Sequence, residues 1–246
     1  MKYDPNLAER LNREAELDKK RKPKVIIVEE KQPITIDSNI TPNQYILLED
    51  SIISIDKYHH NNNWHKMHEL LNQDNSFMPT ISDMVLVSRL LKENKARYAD
   101  GSLIKEEEQR RIFNDIYEVR DPYRAEYLDA NFKVINGILN INYNHRYNNG
   151  VLVPQNTETL DINTLMKDKL PGISLESWLD NPTSQGFPRE NVKKGDFYYY
   201  APLKDNNSVV RFFADSGWSR LFCDRSPQSS GSTLGVRRKK FSQEIK

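Results

Sequence analysis

Four of the five histidines fall between residues 59 and 68, in His59-His60-Asn61-Asn62-Asn63-Trp64-His65-Lys66-Met67-His68. On a helix His65 and His68 stand one turn apart on a shared face, the spacing at which two imidazoles hold one cation. No cysteine lies near, and no carboxylate sits between them at ligand spacing, although Glu69 adjoins. The stretch is therefore read as a polar loop entering a helix that runs to Leu71, and no metal site is expected. Cys223 is the single cysteine, which excludes an internal disulfide, and no histidine stands near it in sequence to activate the thiol. The run Glu106-Glu107-Glu108 has no histidine or cysteine after it and suits a solvated first turn at the positive end of a helix dipole. Gly-x-Gly-x-x-Gly, phosphate-loop and Gly-x-Ser-x-Gly motifs are all missing. No catalytic residue and no cofactor is expected, and the chain reads as a non-enzyme.

Residues 195–238 offer recognition chemistry instead. Gly195-Asp196-Phe197-Tyr198-Tyr199-Tyr200 is followed by a polar turn at Lys204-Asp205-Asn206-Asn207, then Val209-Val210-Arg211-Phe212-Phe213-Ala214-Asp215. After Ser216-Gly217 come Trp218-Ser219-Arg220-Leu221-Phe222-Cys223, a polar loop over 224–233 and Leu234-Gly235-Val236-Arg237. Aromatic and β-branched runs bounded by Asn, Asp, Ser and Gly are the mark of antiparallel strands. A strand shows alternate side chains to one face. If Leu221 and Cys223 point inward with Ser219, then Trp218, Arg220 and Phe222 point outward, and Arg211, Phe213 and Asp215 stand opposite Val210, Phe212 and Ala214. Aromatic and arginine anchors of this kind dominate binding surfaces. The opposite phase buries the aromatics, because a slip of one residue exchanges the faces. The candidate ligand-binding residues are Arg211, Phe213, Asp215, Trp218, Arg220, Phe222, Asp224 and Arg225.

The elements that must position these residues follow in chain order. Over 1–24, Leu7, Leu11 and Leu17 make a thin apolar stripe among mixed charges, too little to hold a helix alone, and the arm is expected to pack on another subunit. Short strands are expected at Val25-Ile26-Ile27-Val28, Ile34-Thr35-Ile36, Tyr45-Ile46-Leu47-Leu48 and Ile52-Ile53-Ser54-Ile55. Residues 77–132 read as helical: Thr80 and Asp83 form a capping box, Met84, Val85, Val87, Leu90 and Leu91 supply a buried face, and a second helix spans 105–119. Residues 123–130 are expected to start a short third helix. Asn136-Gly137 joins two strands in a hairpin, and Trp178 on a short helix is a core anchor. The layout is α+β: arm and docking strands over 1–76, a helical region over 77–131, an antiparallel β-rich domain over 132–238 and a basic tail over 239–246.

Whole-chain properties fit an assembly component. The 246 residues hold one large or two small domains, and the formal net charge of +1 gives no field to draw the chain onto nucleic acid or lipid. No apolar run approaches the ~20 residues of a spanning helix, and Met1-Lys2-Tyr3-Asp4 opens no signal peptide. The hydrophobic content of 37% with a mean hydropathy of −0.77 is low for an independent enzyme, so part of the chain is extended or ordered by partners.

The run Gly186-Phe187-Pro188-Arg189-Glu190-Asn191-Val192-Lys193-Lys194-Gly195-Asp196-Phe197-Tyr198-Tyr199, the Val-Arg-Phe and Leu-x-Cys strands and the closing Leu234-Gly235-Val236-Arg237 resemble a C-type-lectin-like domain. More narrowly they resemble the C-terminal domain of proteins carried by gut bacteriophages of Bacteroidales, some of them targets of diversity-generating retroelements. Met78-Pro79-Thr80-Ile81-Ser82-Asp83, Arg120-Asp121-Pro122-Tyr123-Arg124-Ala125-Glu126-Tyr127-Leu128-Asp129-Ala130 and Leu175-Glu176-Ser177-Trp178-Leu179 carry the likeness upstream. It covers about residues 77–238 and nothing in 1–76. The resemblance implies a small twisted sheet with long loops, and a changeable ligand-contacting face on its last strands. The sequence lacks the Glu-Pro-Asn motif of the calcium-dependent sugar binders of this fold, and one inward cysteine does not reproduce the cysteine chemistry of its sulfatase-activating enzymes.

The expected function is a bacteriophage virion component of the tail, neck or head surface, made in the bacterial host cytoplasm and presenting a protein- or glycan-binding surface. Residues 1–60 would meet other virion proteins, the C-terminal domain a host-surface protein or glycan, and the chain would form a homo-oligomer. Nucleic acid and membrane are not expected as partners. The alternatives are an adhesin outside any virion, and an inactive relative of formylglycine-generating-type enzymes that keeps a small-molecule pocket.

Overall fold

The computed structural model describes residues 40–241. The arm over 1–24 with its packing partner, the strands expected at 25–28 and 34–36, and the end of the tail at 242–246 lie outside the described residues. What is described is α+β, as the sequence implies.

Strands β1 (Tyr45–Leu47) and β2 (Ser51–Ser54) pair as a hairpin, and β11 (Lys239–Phe241) joins the other edge of β2 to make a three-stranded antiparallel sheet. Three helices follow: α1 (Trp64–Gln73), α2 (Ile81–Lys92) and α3 (Glu106–Tyr117). The expected capping box starts α2, with the Thr80 hydroxyl accepting from the Asp83 N–H and the Asp83 carboxylate accepting from the Thr80 N–H. Lys239 Nζ reaches the same carboxylate at 2.8 Å, so the first residue of β11 is a buried partner of α2 and not part of a solvated tail.

The larger sheet has eight strands: β3 (Arg124–Ile135), β4 (Ile138–Asn148), β5 (Val151–Thr159), β6 (Lys169–Ile173), β7 (Phe197–Tyr200), β8 (Val209–Ala214), β9 (Ser219–Arg225) and β10 (Leu234–Gly235). Their spatial order is β5-β4-β3-β8-β9-β7-β6, with β10 parallel to the start of β3. The Asn136-Gly137 hairpin stands where expected: both residues have positive φ, 52° and 77°, which a two-residue turn matched to strand twist requires. Helix α4 (Leu175–Asp180) carries Trp178, which is fully buried and donates its indole N–H to the Gly186 carbonyl.

One expectation is corrected here. Residues 124–130 form the first half of β3 and not a helix. The segment Arg-Ala-Glu-Tyr-Leu-Asp-Ala has good helix propensity, yet β8 and β10 flank it and both faces are covered: Ala125 and Tyr127 pack with α1, and Leu128 and Ala130 pack with α2. Tertiary pairing of this kind outweighs a few tenths of a kcal/mol per residue in propensity. The division expected at 131/132 therefore falls inside a strand. The one expected at 76/77 is bridged by the Trp64 indole of α1, which donates to the Leu128 carbonyl, and by the pairing of β2 with β11.

Helices α2, α3 and α4 close one face of the sheet over Phe132, Val210, Phe212, Leu221 and Cys223. Helix α1 and the chain after β9 cover the β3 end of the other face, around Tyr127, Leu234 and Val236.

Candidate functional site

The second face of β7, β8 and β9 stays partly open beyond α1, and the strand registers decide what it shows. Phe213 pairs with Arg220, which pairs with Tyr198, while Arg211 pairs with Phe222, which pairs with Tyr200. Alternation puts all six side chains on one face in two rows, with Val210, Phe212, Leu221 and Cys223 on the other as expected. The guanidiniums sit against the rings. Arg220 lies 5.2 Å from the Phe213 ring and 5.5 Å from the Trp218 ring, Arg211 lies 5.4 Å from Phe213, and Arg225 lies 4.2 Å from Phe222. Each such contact is worth about 0.5–2 kcal/mol, more as water is excluded.

Trp218 stands just ahead of β9 and remains 48% exposed. Its ring stacks on Tyr198 at 5.4 Å with 28° between planes. Asp215 fixes the turn that carries it: one carboxylate oxygen accepts from the N–H groups of Gly217 and Trp218, and the other pairs with Arg220 at 2.5 Å. Desolvation opposes the charge on Asp215, but those two N–H groups and Arg220 together hold its carboxyl below the usual range. Asp224 holds Arg225 through both of its oxygens, and the pairing holds the Arg225 guanidinium firmly charged. Burial pulls the Arg211 guanidinium down, and its Nε has no hydrogen-bond partner.

All eight candidate residues thus meet on one stretch of sheet, in two roles. Trp218, Arg220, Phe213 and Arg225 reach solvent in part, while Asp215 and Asp224 act through the arginines they hold. Phe222 departs from its expected exposure: it points to this face but is only 6% exposed, roofed by Tyr200, Arg225 and the other arginines. Sequence reading missed Tyr198, Tyr200 and Tyr123, which stacks on Phe213 at 5.1 Å. The parallel pairing of β7 with β9 brings in the first two, and no turn signal announces a parallel pair.

A second constellation joins His68 to residues distant in sequence, and His65 is not part of it. A register shift in β3 between Leu128 and Asn131 re-aims Asp129, whose carboxylate accepts from the His145 N–H at 2.8 Å and bonds the His145 ring at 2.5 Å. His68 Nε2 lies 3.6 Å from the same carboxylate without a hydrogen bond, and Trp64 packs edge-on against both imidazoles. Among the described residues this is the trio whose donor atoms lie close enough, within 4.8 Å of one another, to share a cation. The direct His145–Asp129 bond already occupies one atom of each and pins β3 to β4, with His68 of α1 packed beside it. Burial pushes the His68 imidazole down to about 3, against the pull of Asp129.

Among the described residues no helix is long and apolar enough to cross a membrane. No family model, no curated protein and no solved structure matches this chain.

Proposed function

We propose that this protein is a non-enzymatic binding component of a bacteriophage particle, and that the face around Trp218 is its recognition surface for a host-surface protein or glycan. One observation carries the reading. A tryptophan left half in water is nonetheless held rigid, stacked on Tyr198, flanked by Arg220 and seated on a turn tied down by Asp215. Large aromatics fixed before contact lose little entropy on binding, which is how aromatic and arginine hot spots work. The likeness of residues 186–199 and 234–237 to C-type-lectin-like domains of Bacteroidales phages supports the same face and the same setting.

The test is binding of the purified protein to host cells and to an array of glycans. Trp218→Ala should weaken binding by about 2 kcal/mol, roughly thirtyfold, while leaving a cooperative melt. Equal binding by the variant and the parent on every host and glycan that the parent recognises would dismiss this face as the recognition surface.

A further inference from the structure

A cavity of about 880 Å³ opens between the segment after β2, α3, the loop leading into β3 and residues 232–233. Its size suits a small organic ligand. Arg124 on its wall is 4% exposed, and only one of its three guanidinium nitrogens is used, Nη2 donating to the Asn114 carbonyl at 2.8 Å. Its Nε and Nη1 are buried without partners, and so is the Thr233 hydroxyl in the same wall. Buried donors are nearly always satisfied, so three in one cavity call for an acceptor from outside the folded chain, water or a ligand.

Charge says which acceptor. Lys57 also lines the cavity, and among the described residues its ammonium makes no hydrogen bond or ion pair. Burial pulls it down from its ordinary range against the attraction of Glu126 and Asp115. Burial, with Arg120 next, likewise lowers Arg124 to about 10. The nearby carboxylates are already engaged, Asp115 by Arg120 at 2.7 Å and by Arg237 at 3.3 Å, and Glu126 by Arg237 at 2.8 Å. Asp56 and Asp121 stand exposed at the mouth, where water screens them. Lys57 and Arg124 thus feel Asp115 and Glu126 only at a distance, and among the described residues neither makes a direct ion pair.

We propose that this cavity is an anion site for a small molecule bearing a phosphate or carboxylate group, held between the Lys57 ammonium and the unpartnered Nε–H and Nη1–H donors of Arg124, with the Thr233 hydroxyl donating. Charge-assisted guanidinium N–H donors suit either oxyanion, and Lys57 adds a point charge. Tyr58 and Tyr123 on the wall offer rings to the remainder of the ligand.

Calorimetric titration of the full chain with inorganic phosphate, and separately with glucuronate, tests this at low salt. Saturable binding of either, weakened by added sodium chloride, is expected; phosphate alone marks a phosphate site, and glucuronate alone a carboxylate site. Lys57→Met and Arg124→Lys should each lower the affinity about tenfold or more, the loss expected for one charge-assisted hydrogen bond. Thr233→Val gives a smaller loss in the same direction and leaves both cations in place, so it serves where the cation variants fail to fold. Binding of neither anion, or binding unchanged in folded Lys57→Met or Thr233→Val protein, overturns the proposal.

Discussion

The burial of His68 makes stability depend on acidity in a window that can be worked out. His68 is 3% exposed, and burial lowers its imidazole from the ordinary 6.5 to about 3. A depressed native value means the unfolded chain binds more protons between those two limits, so stability rises with pH across the window. Above 6.5 the imidazole is neutral in both states and the contribution is complete; it is lost as the pH falls toward 3. Each pH unit below 6.5 costs about 1.4 kcal/mol, so moving from about pH 7.5 to about pH 4.5 should remove about 3 kcal/mol through this group alone. The comparison protein is His68→Leu, which keeps an apolar side chain beside Trp64 and strands no hydrogen bond, since His68 Nε2 makes none. Urea unfolding of both proteins at the two pH values, followed by tryptophan fluorescence, reads the effect of His68 together with its contacts to Asp129 and His145, because acid-sensitive groups distant from it act on both alike. The variant should gain on the parent by about 3 kcal/mol at the lower pH. A difference that stays constant between the two pH values would refute the buried, neutral imidazole.

Two further outcomes follow from close packing. At Gly172 a methyl group would run into the Phe197 backbone carbonyl, where β6 lies against β7, so Gly172→Ala should destabilise by about 3 kcal/mol in chemical denaturation. Cys223 is fully buried and burial holds its thiol well above the ordinary range, so it should ignore a thiol reagent in the native protein and react fully on unfolding; Cys223→Ala should cost on the order of 1 kcal/mol and no binding function.

What the sequence made legible depended on distance along the chain. The Thr80–Asp83 box, the Asn136-Gly137 turn and the outward set Arg211, Phe213, Arg220 and Phe222 rest on interactions within a few residues, and each takes the expected place. The strand at 124–130 was hidden because its partners, β8 and β10, come more than eighty residues later and its local preference points to helix. The solvent cover of Phe222 was hidden for a related reason: alternation fixes the face, but Tyr200 arrives through the parallel pairing of β7 with β9. The Lys57–Arg124 cavity could not be read at all, since its walls come from four separated segments and its signal is a set of missing partners.

The three-stranded sheet has a mechanical meaning. Strand β1 lies near the start of the described span and β11 ends it, and both are zipped to β2 from opposite sides. Pulling β1 and β11 apart must first break the two short hydrogen-bonded ladders on either side of β2, and releasing β11 also breaks the Lys239–Asp83 clamp onto α2.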